Sequence, residues 1–315
     1  MRILVTGGAG FIGSNLVRRL LSSPEVDITV LDRHPAAESP SARDMSRVTF
    51  VEGDVTDATA VRTAVAGHDG IVHLAAQAGV PSSLVDPAHD CRVNVFGTLN
   101  VLEAARVCGV ERVVFASSSA PLGRQEPPAA EDKVPLPLSP YGASKLAGEA
   151  YCLAYHGSWG LGSVALRFSN VYGELSAHKK SVVARFFRDA HTTGRIVIDG
   201  GGTQTRDFIY VQDVCEAIVT ALQSKIGGEV FQIGTGVETS IIELATLVRE
   251  ITACGAEIVE APARSGDVGR SYSSCDKARS MLGWEPVTSL RDGLQATWSW
   301  IRDHEEALAP SSEQD

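Results

Sequence analysis

The chain has 315 residues, enough for two domains or one large α/β unit with a sizeable buried core. Hydrophobic residues make up 44% of it and charged residues 21%, which is ordinary for a globular enzyme. The formal net charge of −10 argues against a basic surface that follows a phosphate backbone, so we expect no nucleic-acid partner.

The first two-thirds of the chain alternate strand-like and helix-like segments. Short apolar runs, partly β-branched, predict buried strands at 3–6, 28–31, 48–51, 71–74, 113–116 and 164–168. Helical periodicity between them predicts helices near 13–21, 58–66, 90–108 and 144–155. This alternation predicts an α/β fold, a doubly wound parallel sheet with helices on both faces.

The pattern changes after about residue 171. Isolated strands are predicted at 196–198 and 230–233, and helices at 211–222, 241–251 and 290–301. We expect residues 1–170 to form the sheet domain, with returning segments near 205–235. Residues 171–305 are expected to form mainly a smaller α/β domain, and residues 306–315 a flexible polar tail.

Targeting and redox signals are few. The chain opens directly on a strand, so we expect no signal peptide. No apolar run reaches the roughly 18 residues of a membrane span. The six cysteines form no CxxC pair, which favours unpaired thiols over disulfides. We therefore expect a cytoplasmic location and no membrane partner.

A glycine-rich turn follows the first strand. Gly7, Gly10 and Gly13 fall in a G-x-x-G-x-x-G spacing ahead of the next helix. Glycine lets backbone N–H groups approach a pyrophosphate at a helix N-terminus. Asp32 closes the second strand 19 residues after Gly13, where a carboxylate can accept hydrogen bonds from the adenosine ribose. Together these residues predict a dinucleotide site.

The acidic residue favours NAD over NADP because its charge repels a 2′-phosphate; the adjacent Arg33 weakens this preference without reversing it. Asp54 can accept from the adenine amino group, or it can cap a turn as Asp commonly does. His73 is interpreted as a satisfied interior histidine. The cofactor contacts predicted from this part of the chain are Gly7, Gly10, Phe11, Ile12, Gly13, Asp32, Arg33, Asp54, Val55, Leu74, Ala75 and Ala76.

Tyr141 and Lys145 stand four residues apart at the start of a predicted helix, so both side chains share one face. An ammonium beside a phenol lowers a pKa that is otherwise about 10. Such a tyrosine can remove a hydroxyl proton while hydride leaves the same carbon. Ser118, at the end of the fifth strand, supplies a hydroxyl for the substrate oxygen, with Ser117 and Ser119 as competitors. These residues predict hydride chemistry on an alcohol.

Together the motifs resemble the extended short-chain dehydrogenase/reductase superfamily, in its branch of NAD-dependent nucleotide-sugar epimerases and dehydratases. The resemblance spans about residues 1–302. It implies a Rossmann-type NAD-binding domain followed by a smaller C-terminal substrate-binding domain, with Ser118, Tyr141 and Lys145 as the catalytic residues. It places Tyr141 and Lys145 at the cofactor. It also implies that Asn94 orients the lysine through a backbone and water network; the alternative is an asparagine bonded locally within its helix.

The resemblance extends to the substrate. Asn170, Arg206 and Arg264 lie in segments that resemble those holding the nucleotide diphosphate in this family. Two arginines would offset the diphosphate charge in an acidic protein. The resemblance therefore implies a UDP-sugar or a dTDP-sugar as substrate, with Ser118 and Ser119 at the sugar.

The reaction is indicated by departures from the family pattern. The 4,6-dehydratases carry an Asp-Glu pair directly after the catalytic hydroxyl residue, whereas this chain has Ser119 and Ala120. Glucuronate decarboxylases also usually carry a glutamate there. The pattern that remains resembles that of a 4-epimerase. The alternatives are a UDP-glucuronate 4-epimerase or decarboxylase, an unusual dehydratase, a 4-ketoreductase, or a non-catalytic NAD-binding regulator.

Pro121 and Leu122 also replace a family Val-Tyr pair, which predicts a changed loop near the sugar.

Two residues bear on the sugar. Glu174 follows the Val-Tyr-Gly segment where glucuronate-specific relatives often carry an arginine, so a neutral sugar is expected. Ser271 stands where a bulky tyrosine restricts some epimerases to UDP-glucose and UDP-galactose, so a 2-acetamido group is expected to fit. In many relatives the helices corresponding to 90–108 and 144–155 form a dimer contact, which implies a homodimer.

Overall fold

The computed structural model of the chain describes residues 1–34, 47–177, 179, 181–262 and 269–304. Its strands, in chain order, are β1 (Arg2–Thr6), β2 (Asp27–Asp32), β3 (Thr49–Glu52), β4 (Gly70–His73), β5 (Arg112–Ser118), β6 (Gly162–Phe168), β7 (Asn170–Tyr172), β8 (Arg195–Asp199), β9 (Thr205–Arg206), β10 (Phe208–Tyr210), β11 (Glu229–Ile233), β12 (Thr239–Ser240) and β13 (Glu257–Ala261).

The α-helices are α1 (Phe11–Leu21), α2 (Ala58–Val65), α3 (Val80–Val85), α4 (Pro87–Cys91), α5 (Gly97–Cys108), α6 (Pro140–Trp159), α7 (Val182–Thr192), α8 (Val211–Gln223), α9 (Ile241–Thr252) and α10 (Leu290–Asp303). Within the described residues, no helix is both long enough and apolar enough to cross a membrane.

Seven parallel strands form the central sheet in the order β11-β6-β5-β4-β1-β2-β3. Their side chains alternate between two faces, as the strand period requires. Leu4, Ile71 and Phe115 pack into one apolar cluster with α2, α5 and α6. Ile3 and Val5 belong to the opposite cluster, on the side of α1 and α8. Helices on both faces confirm the predicted doubly wound α/β fold.

The C-terminal part adds small two-stranded pairs to this sheet. They are β7 with β10, β9 with β12, and β8 with β13. Strand β11 of the central sheet lies inside the segment 205–235, which was expected to return to the first domain. The boundary at residue 170 stays a prediction.

The predicted helix at 90–108 is interrupted. The segment Arg92–Phe96 between α4 and α5 forms a turn of π-helix, a local widening that is common at functional sites. Asn94 lies in this turn and is buried. A periodicity argument could not detect the widening because one extra residue barely changes the apolar pattern.

The substituted loop after β5 has an ordered structure. Ala120–Leu122 forms a short 3₁₀ turn in which Pro121 and Leu122 are buried. Gly123 has φ +63°, and a Cβ at that position would lie 1.8 Å from the Leu136 carbonyl oxygen. The sequence predicted a changed loop at this position, and the Pro121 and Leu122 side chains of the loop are buried in the protein.

Candidate active site

The glycine-rich turn is tightly packed between β1 and α1. Gly7 has φ +72°, and a Cβ there would lie 2.6 Å from the Ala75 backbone nitrogen. A Cβ on Gly13 would lie 2.3 Å from the Gly7 carbonyl oxygen. Helix α1 begins without a side-chain cap, so its first N–H groups are available to an anion. This glycine-rich turn at an uncapped helix start fits the pyrophosphate of NAD.

Asp32 lies at the end of β2, beside the same turn. It is 8% exposed, and its Oδ2 accepts a hydrogen bond from the Ala9 N–H at 3.0 Å. Its Oδ1 accepts from the His34 N–H at 3.1 Å. The neighbouring Arg33 is exposed. The carboxylate is thus held at the position where the adenosine ribose was expected, and that contact stays a prediction.

The other predicted cofactor residues follow β3 and β4. Asp54 Oδ1 accepts from the Thr56 N–H at 2.8 Å, so this residue caps a turn, as the alternative interpretation held. Burial raises the pKa of Asp54, but the hydrogen bonds from Thr56 lower it by more. The net pKa of Asp54 is therefore below its ordinary value. Leu74, Ala75 and Ala76 are half-buried beside the glycine turn, and the adjacent Val55 is buried.

His73 is the satisfied interior histidine that the sequence indicated. It is 1% exposed, its Nδ1 is hydrogen-bonded to Thr6 Oγ1 at 2.7 Å and its Nε2 to Thr98 Oγ1 at 3.1 Å. Burial, together with the nearby Lys145 charge, lowers its pKa to about 3. The imidazole is therefore neutral throughout the physiological range.

The predicted catalytic residues come together at the carboxyl end of β5. Tyr141 is the second residue of α6, which Ser139 caps by accepting from the Gly142 N–H at 3.1 Å. A side-chain hydrogen bond joins Tyr141 to Ser118. Lys145 Nζ donates to the Ala116 carbonyl at 2.8 Å and lies 5.9 Å from the centroid of the Tyr141 ring. The sheet and the helix thus place hydroxyl, phenol and ammonium in one cluster.

The pKa of the phenol differs from the sequence expectation. Burial raises the pKa of Tyr141, and the hydrogen bond from Ser118 only partly opposes it. Burial also lowers the pKa of Lys145 to about 8, although Asp90 and Glu149 favour its ammonium form. The expected net fall of the phenol pKa was therefore wrong, because burial outweighs the influences that lower it. Desolvation is the dominant effect because both groups lie in a poorly hydrated environment.

Of the competing serines, Ser117 is excluded by its contacts. Its hydroxyl donates to Glu149 Oε1 at 2.5 Å, on the buried side of β5. Glu149 also accepts from Arg167, through Nε and Nη2, at 2.8 Å each. Sequence reasoning missed this buried ion pair; the only available signal was a carboxylate four residues after Lys145. Ser119 is half-buried, and its N–H donates to the Phe168 carbonyl at 3.1 Å.

Asn94 bonds across elements as well as within its own segment. Its Oδ1 accepts from the Gln77 N–H at 2.8 Å, while Nδ2 lies 3.0 Å from Asp90 Oδ2 and 3.1 Å from Ser144 Oγ. Its carbonyl accepts from Thr98 Oγ1 at 2.6 Å. The locally bonded alternative therefore accounts for only part of its contacts. An orienting effect on Lys145 would pass through Ser144, and it stays a prediction.

The predicted diphosphate residues are placed in part. Asn170 is exposed at the start of β7, and both its backbone N–H and its Nδ2 donate to the Asp207 carbonyl, at 2.9 and 3.2 Å. Arg206 immediately precedes Asp207 and donates to the Thr205 carbonyl at 2.7 Å. Asn170 and Arg206 therefore lie close together. Arg264 lies outside the described residues.

Asp207 was not singled out from the sequence, and it organises this region. It is 1% exposed and accepts from Thr235 N–H and Oγ1, at 2.9 and 2.6 Å, through Oδ1. Its Oδ2 accepts from the Gly236 and Ser273 N–H groups, at 3.2 Å each. The carboxylate thus ties the start of β10 to the segment that carries Ser271. A single acidic residue in a polar segment gave no pattern from which this could be predicted.

Glu174 has a different environment from the one that the sequence argument assumed. Its carboxylate accepts from the Tyr210 hydroxyl through Oε1, and its carbonyl accepts from Asn15 Nδ2 at 3.0 Å. Its Oε2 is buried without a partner among the described residues. These contacts are with α1 and β10, so they give no support to a direct repulsion of a sugar carboxylate.

A lysine that the sequence analysis did not include lies near the glycine turn. Lys179 Nζ lies 5.0 Å from the centroid of the Phe11 ring, at the first residue of α1. Burial lowers the pKa of this amine. A cation over the ring next to an uncapped helix start adds positive charge where a pyrophosphate is expected.

The comparisons with known proteins agree with this geometry. The sequence model of the NAD dependent epimerase/dehydratase family matches residues 3–234. A UDP-glucose 4-epimerase of Mycolicibacterium smegmatis is 39% identical over 96% of this chain and 99% of its own length.

Two solved structures are similar over nearly the whole chain. The UDP-glucose 4-epimerase of Thermotoga maritima, solved with UDP-glucose, is 35% identical to this chain, with a TM-score of 0.89. The match covers 97% of this chain and 100% of the other. The dTDP-glucose 4,6-dehydratase DesIV of Streptomyces venezuelae, solved with NAD bound, is 32% identical with a TM-score of 0.88, covering 97% and 98%.

Proposed function

Because the chain belongs to the NAD-dependent epimerase/dehydratase family, we propose that it is a UDP-sugar 4-epimerase that acts through a transient 4-keto sugar. The observation that carries the proposal is the cluster of Ser118, Tyr141 and Lys145 at the end of β5, with Ser119 and Ala120 next to it. The cluster suits proton removal from a sugar hydroxyl, while the adjacent residues supply no acid for elimination of water.

When bound, NAD would supply the acceptor and donor for the hydride at C4 of the sugar, so that each cycle would end without net redox. Tyr141 takes the O4 proton as hydride leaves C4, and Ser118 holds that oxygen by its hydroxyl. Lys145 stabilises the phenolate by its charge. After the keto sugar turns over, Tyr141 returns the proton, and the product differs from the substrate only at C4.

We propose that charged and polar groups in the second half of the chain bind the nucleotide. Asn170 and Arg206 lie close together, and we propose that they bind the diphosphate with Arg264. Charge-assisted bonds from guanidinium groups compensate a diphosphate in an acidic protein. UDP is proposed as the nucleotide, with dTDP as the alternative.

A neutral hexose or an N-acetylhexosamine is the proposed sugar. Ser271 is half-buried, and a serine there leaves room for a 2-acetamido group. With Glu174 bonded to Tyr210, the preference for a neutral sugar rests on the lack of an arginine after the Val-Tyr-Gly segment. UDP-glucuronate is therefore retained as an alternative substrate.

Dehydration is the second candidate reaction, because dTDP-glucose 4,6-dehydratases are among the relatives. The family pattern for that reaction requires an Asp-Glu pair at positions 119 and 120. Ser119 and Ala120 cannot protonate or deprotonate the sugar at neutral pH. We therefore favour epimerisation.

We also propose a homodimer. Phe96 and Val107 are 57% and 56% exposed on the α5 side, and Ala143, Ala150 and Ala154 are exposed on α6. Helices α5 and α6 pack against each other, so these side chains can form a continuous face. Exposed apolar side chains along two adjacent helices suit a self-complementary helical contact.

The proposal is tested with purified protein and no added cofactor. UDP-glucose, UDP-N-acetylglucosamine and UDP-glucuronate are incubated separately, and the product sugars are identified by NMR. We expect C4 epimerisation of one or both neutral sugars and no accumulation of a 4-keto product. Tyr141→Phe is expected to abolish turnover while leaving bound NAD in place. Failure to interconvert any C4 epimer pair, or full activity of Tyr141→Phe, would contradict the proposal.

A further inference from the structure

A buried carboxylate without a role in the proposed reaction lies near the catalytic pair. Asp90 is 1% exposed in the five-residue helix α4, which packs against α6. Its Oδ2 accepts from Asn94 Nδ2 at 3.0 Å. Its Oδ1 is buried and has no hydrogen-bond partner among the residues that the structure describes. Burying such a half-paired charge costs free energy, so a purely structural role is a poor explanation for it.

Asn94 links this carboxylate to the helix that carries the catalytic pair. Besides Asp90, its Nδ2 contacts Ser144 Oγ at 3.1 Å, and Ser144 Oγ donates to the Tyr141 carbonyl at 3.0 Å. Ser144 directly precedes Lys145. Two side chains therefore connect Asp90 to the turn of α6 between Tyr141 and Lys145.

The charge of Asp90 acts on both members of the pair. Burial lowers the pKa of Lys145, and Asp90 is the largest opposing influence. Burial raises the pKa of Tyr141, and Asp90 raises it further. Glu149, on the far side of Lys145, also favours the ammonium form. The titratable and charged groups near this cluster on α4, α6, β4 and the adjoining turns are Asp86, His89, Arg92, Tyr141, Lys145, Glu149, Cys152 and His73.

We propose that Asp90 is a positioning residue for the Tyr141–Lys145 pair: its buried charge holds Lys145 in the ammonium form, and its bond to Asn94 orients the turn that carries both. The inference rests on the catalytic roles proposed above for Tyr141 and Lys145. In this proposal, α4 and the π-helical turn favour the ammonium form of Lys145 on α6.

The active pair is a phenolate beside an ammonium, so activity rises as Tyr141 loses its proton and falls as Lys145 loses its own. Asp90 raises both pKa values, and its neutralisation lowers both. In a plot of kcat against pH, both the acid limb and the alkaline limb of an Asp90 variant therefore lie at lower pH than those of the wild type. A residue that only supports the fold would lower activity or stability without moving either limb.

The test compares Asp90→Asn and Asp90→Ser with wild type, and uses Asp276→Asn as the matched control. Asp276 is 83% exposed and lies away from α4 and α6 in the sequence. In Asp90→Asn the amide oxygen can still accept from Asn94, so the fold is retained. We expect its kcat relative to wild type to be at least about threefold lower at pH 9 than at pH 6.5. The control is expected to follow the wild-type profile.

A second measurement needs no sugar substrate. Tyrosine ionisation is followed by ultraviolet absorbance, and the contribution of Tyr141 is the difference between each protein and the same protein carrying Tyr141→Phe. We expect Tyr141 to ionise at lower pH in both Asp90 variants than in wild type. Unchanged titration and unchanged limbs, or failure of both variants to fold, would overturn the inference. Absence of epimerase activity in the wild type would instead refute the proposed function and leave the titration to decide on Asp90.

Discussion

Ser271 lies in a segment whose backbone is held on both sides. The Gly269 carbonyl accepts from the Thr205 N–H at 2.9 Å, and the Tyr272 carbonyl accepts from the Ala129 N–H at 2.8 Å. A larger side chain at position 271 therefore cannot be accommodated by moving the backbone. It must occupy the space beside position 271, where we propose that the sugar binds, or turn out to solvent.

Ser271→Tyr is expected to lower kcat/KM for UDP-N-acetylglucosamine by at least about tenfold more than for UDP-glucose, because the ring fills the space of the acetamido group. Steady-state kinetics on both sugars measure this, with Ser280→Tyr at an exposed position as control. Equal losses on the two sugars would show that Ser271 does not select between them.

The buried imidazole of His73 makes stability depend on pH. Its pKa is about 3 in the folded protein against an ordinary 6.5, so below pH 6.5 the unfolded state binds more protons. Stability is therefore complete above pH 6.5 and decreases as the pH falls toward 3.

Between pH 6.5 and 5 this histidine alone is expected to reduce the free energy of unfolding by about 2 kcal/mol. Urea unfolding of wild type and His73→Asn at pH 7 and pH 5 measures the effect, since the variant lacks the titrating group. The same loss in both proteins would assign the acid sensitivity to other residues.

At the scale of elements, one ion pair joins three parts of the fold behind the catalytic cluster. Glu149 is on α6, and it binds Ser117 on β5 and Arg167 on β6. The two ionic side chains are 2% and 4% exposed. They hold the helix with Tyr141 and Lys145 against the strand with Ser118, so the catalytic geometry depends on contacts that reach no substrate.

Glu149→Leu is expected to cost about 3–5 kcal/mol, because it leaves the Arg167 charge buried and unpaired. The double variant Glu149→Leu/Arg167→Met is expected to be more stable than the single one, since no charge is left uncompensated. Urea unfolding measures both. Arg291→Ala, which breaks the exposed pair with Glu250, serves as control and should cost at most about 1 kcal/mol. A double variant that is less stable than Glu149→Leu would contradict this account.

At the scale of the molecule, the site lies where the carboxyl ends of the central strands meet. Strand β1 ends at the glycine turn and β5 ends at Ser118, and β4 pairs with both strands. Ligands bind at this edge of doubly wound sheets because the loops and helix N-termini converge there. The second half of the chain carries Asn170, Arg206 and Ser271, which we propose complete the site, so under this proposal both parts of the chain contribute to it.

Ala150→Arg tests the proposed dimer, because it places a charge in the centre of the exposed face of α6. We expect the wild type to have the mass of two chains by light scattering, and the variant to dissociate at micromolar concentration. Gln295→Arg, exposed on α10, should keep the wild-type mass. A monomeric wild type would refute the proposal.

The sequence by itself predicted the parallel sheet and singled out Ser118, Tyr141 and Lys145, which the structure brings together. Apolar runs of four or five residues reflect strands buried on both faces, and the spacing of Gly7, Gly10 and Gly13 reflects a steric requirement within one turn. These features depend on residues close together in the chain, so they can be read without knowing the packing.

The tertiary structure alone decided what depends on distant contacts. It showed that Ser117 is bonded to Glu149, that Asp54 accepts from the Thr56 N–H, and that Asn94 connects Asp90 to Ser144. It also reversed the expected direction of the Tyr141 pKa. Desolvation and charge interactions depend on which residues pack around a group, and those neighbours can lie 50 or more positions away in the chain, as Asn94 does from Ser144.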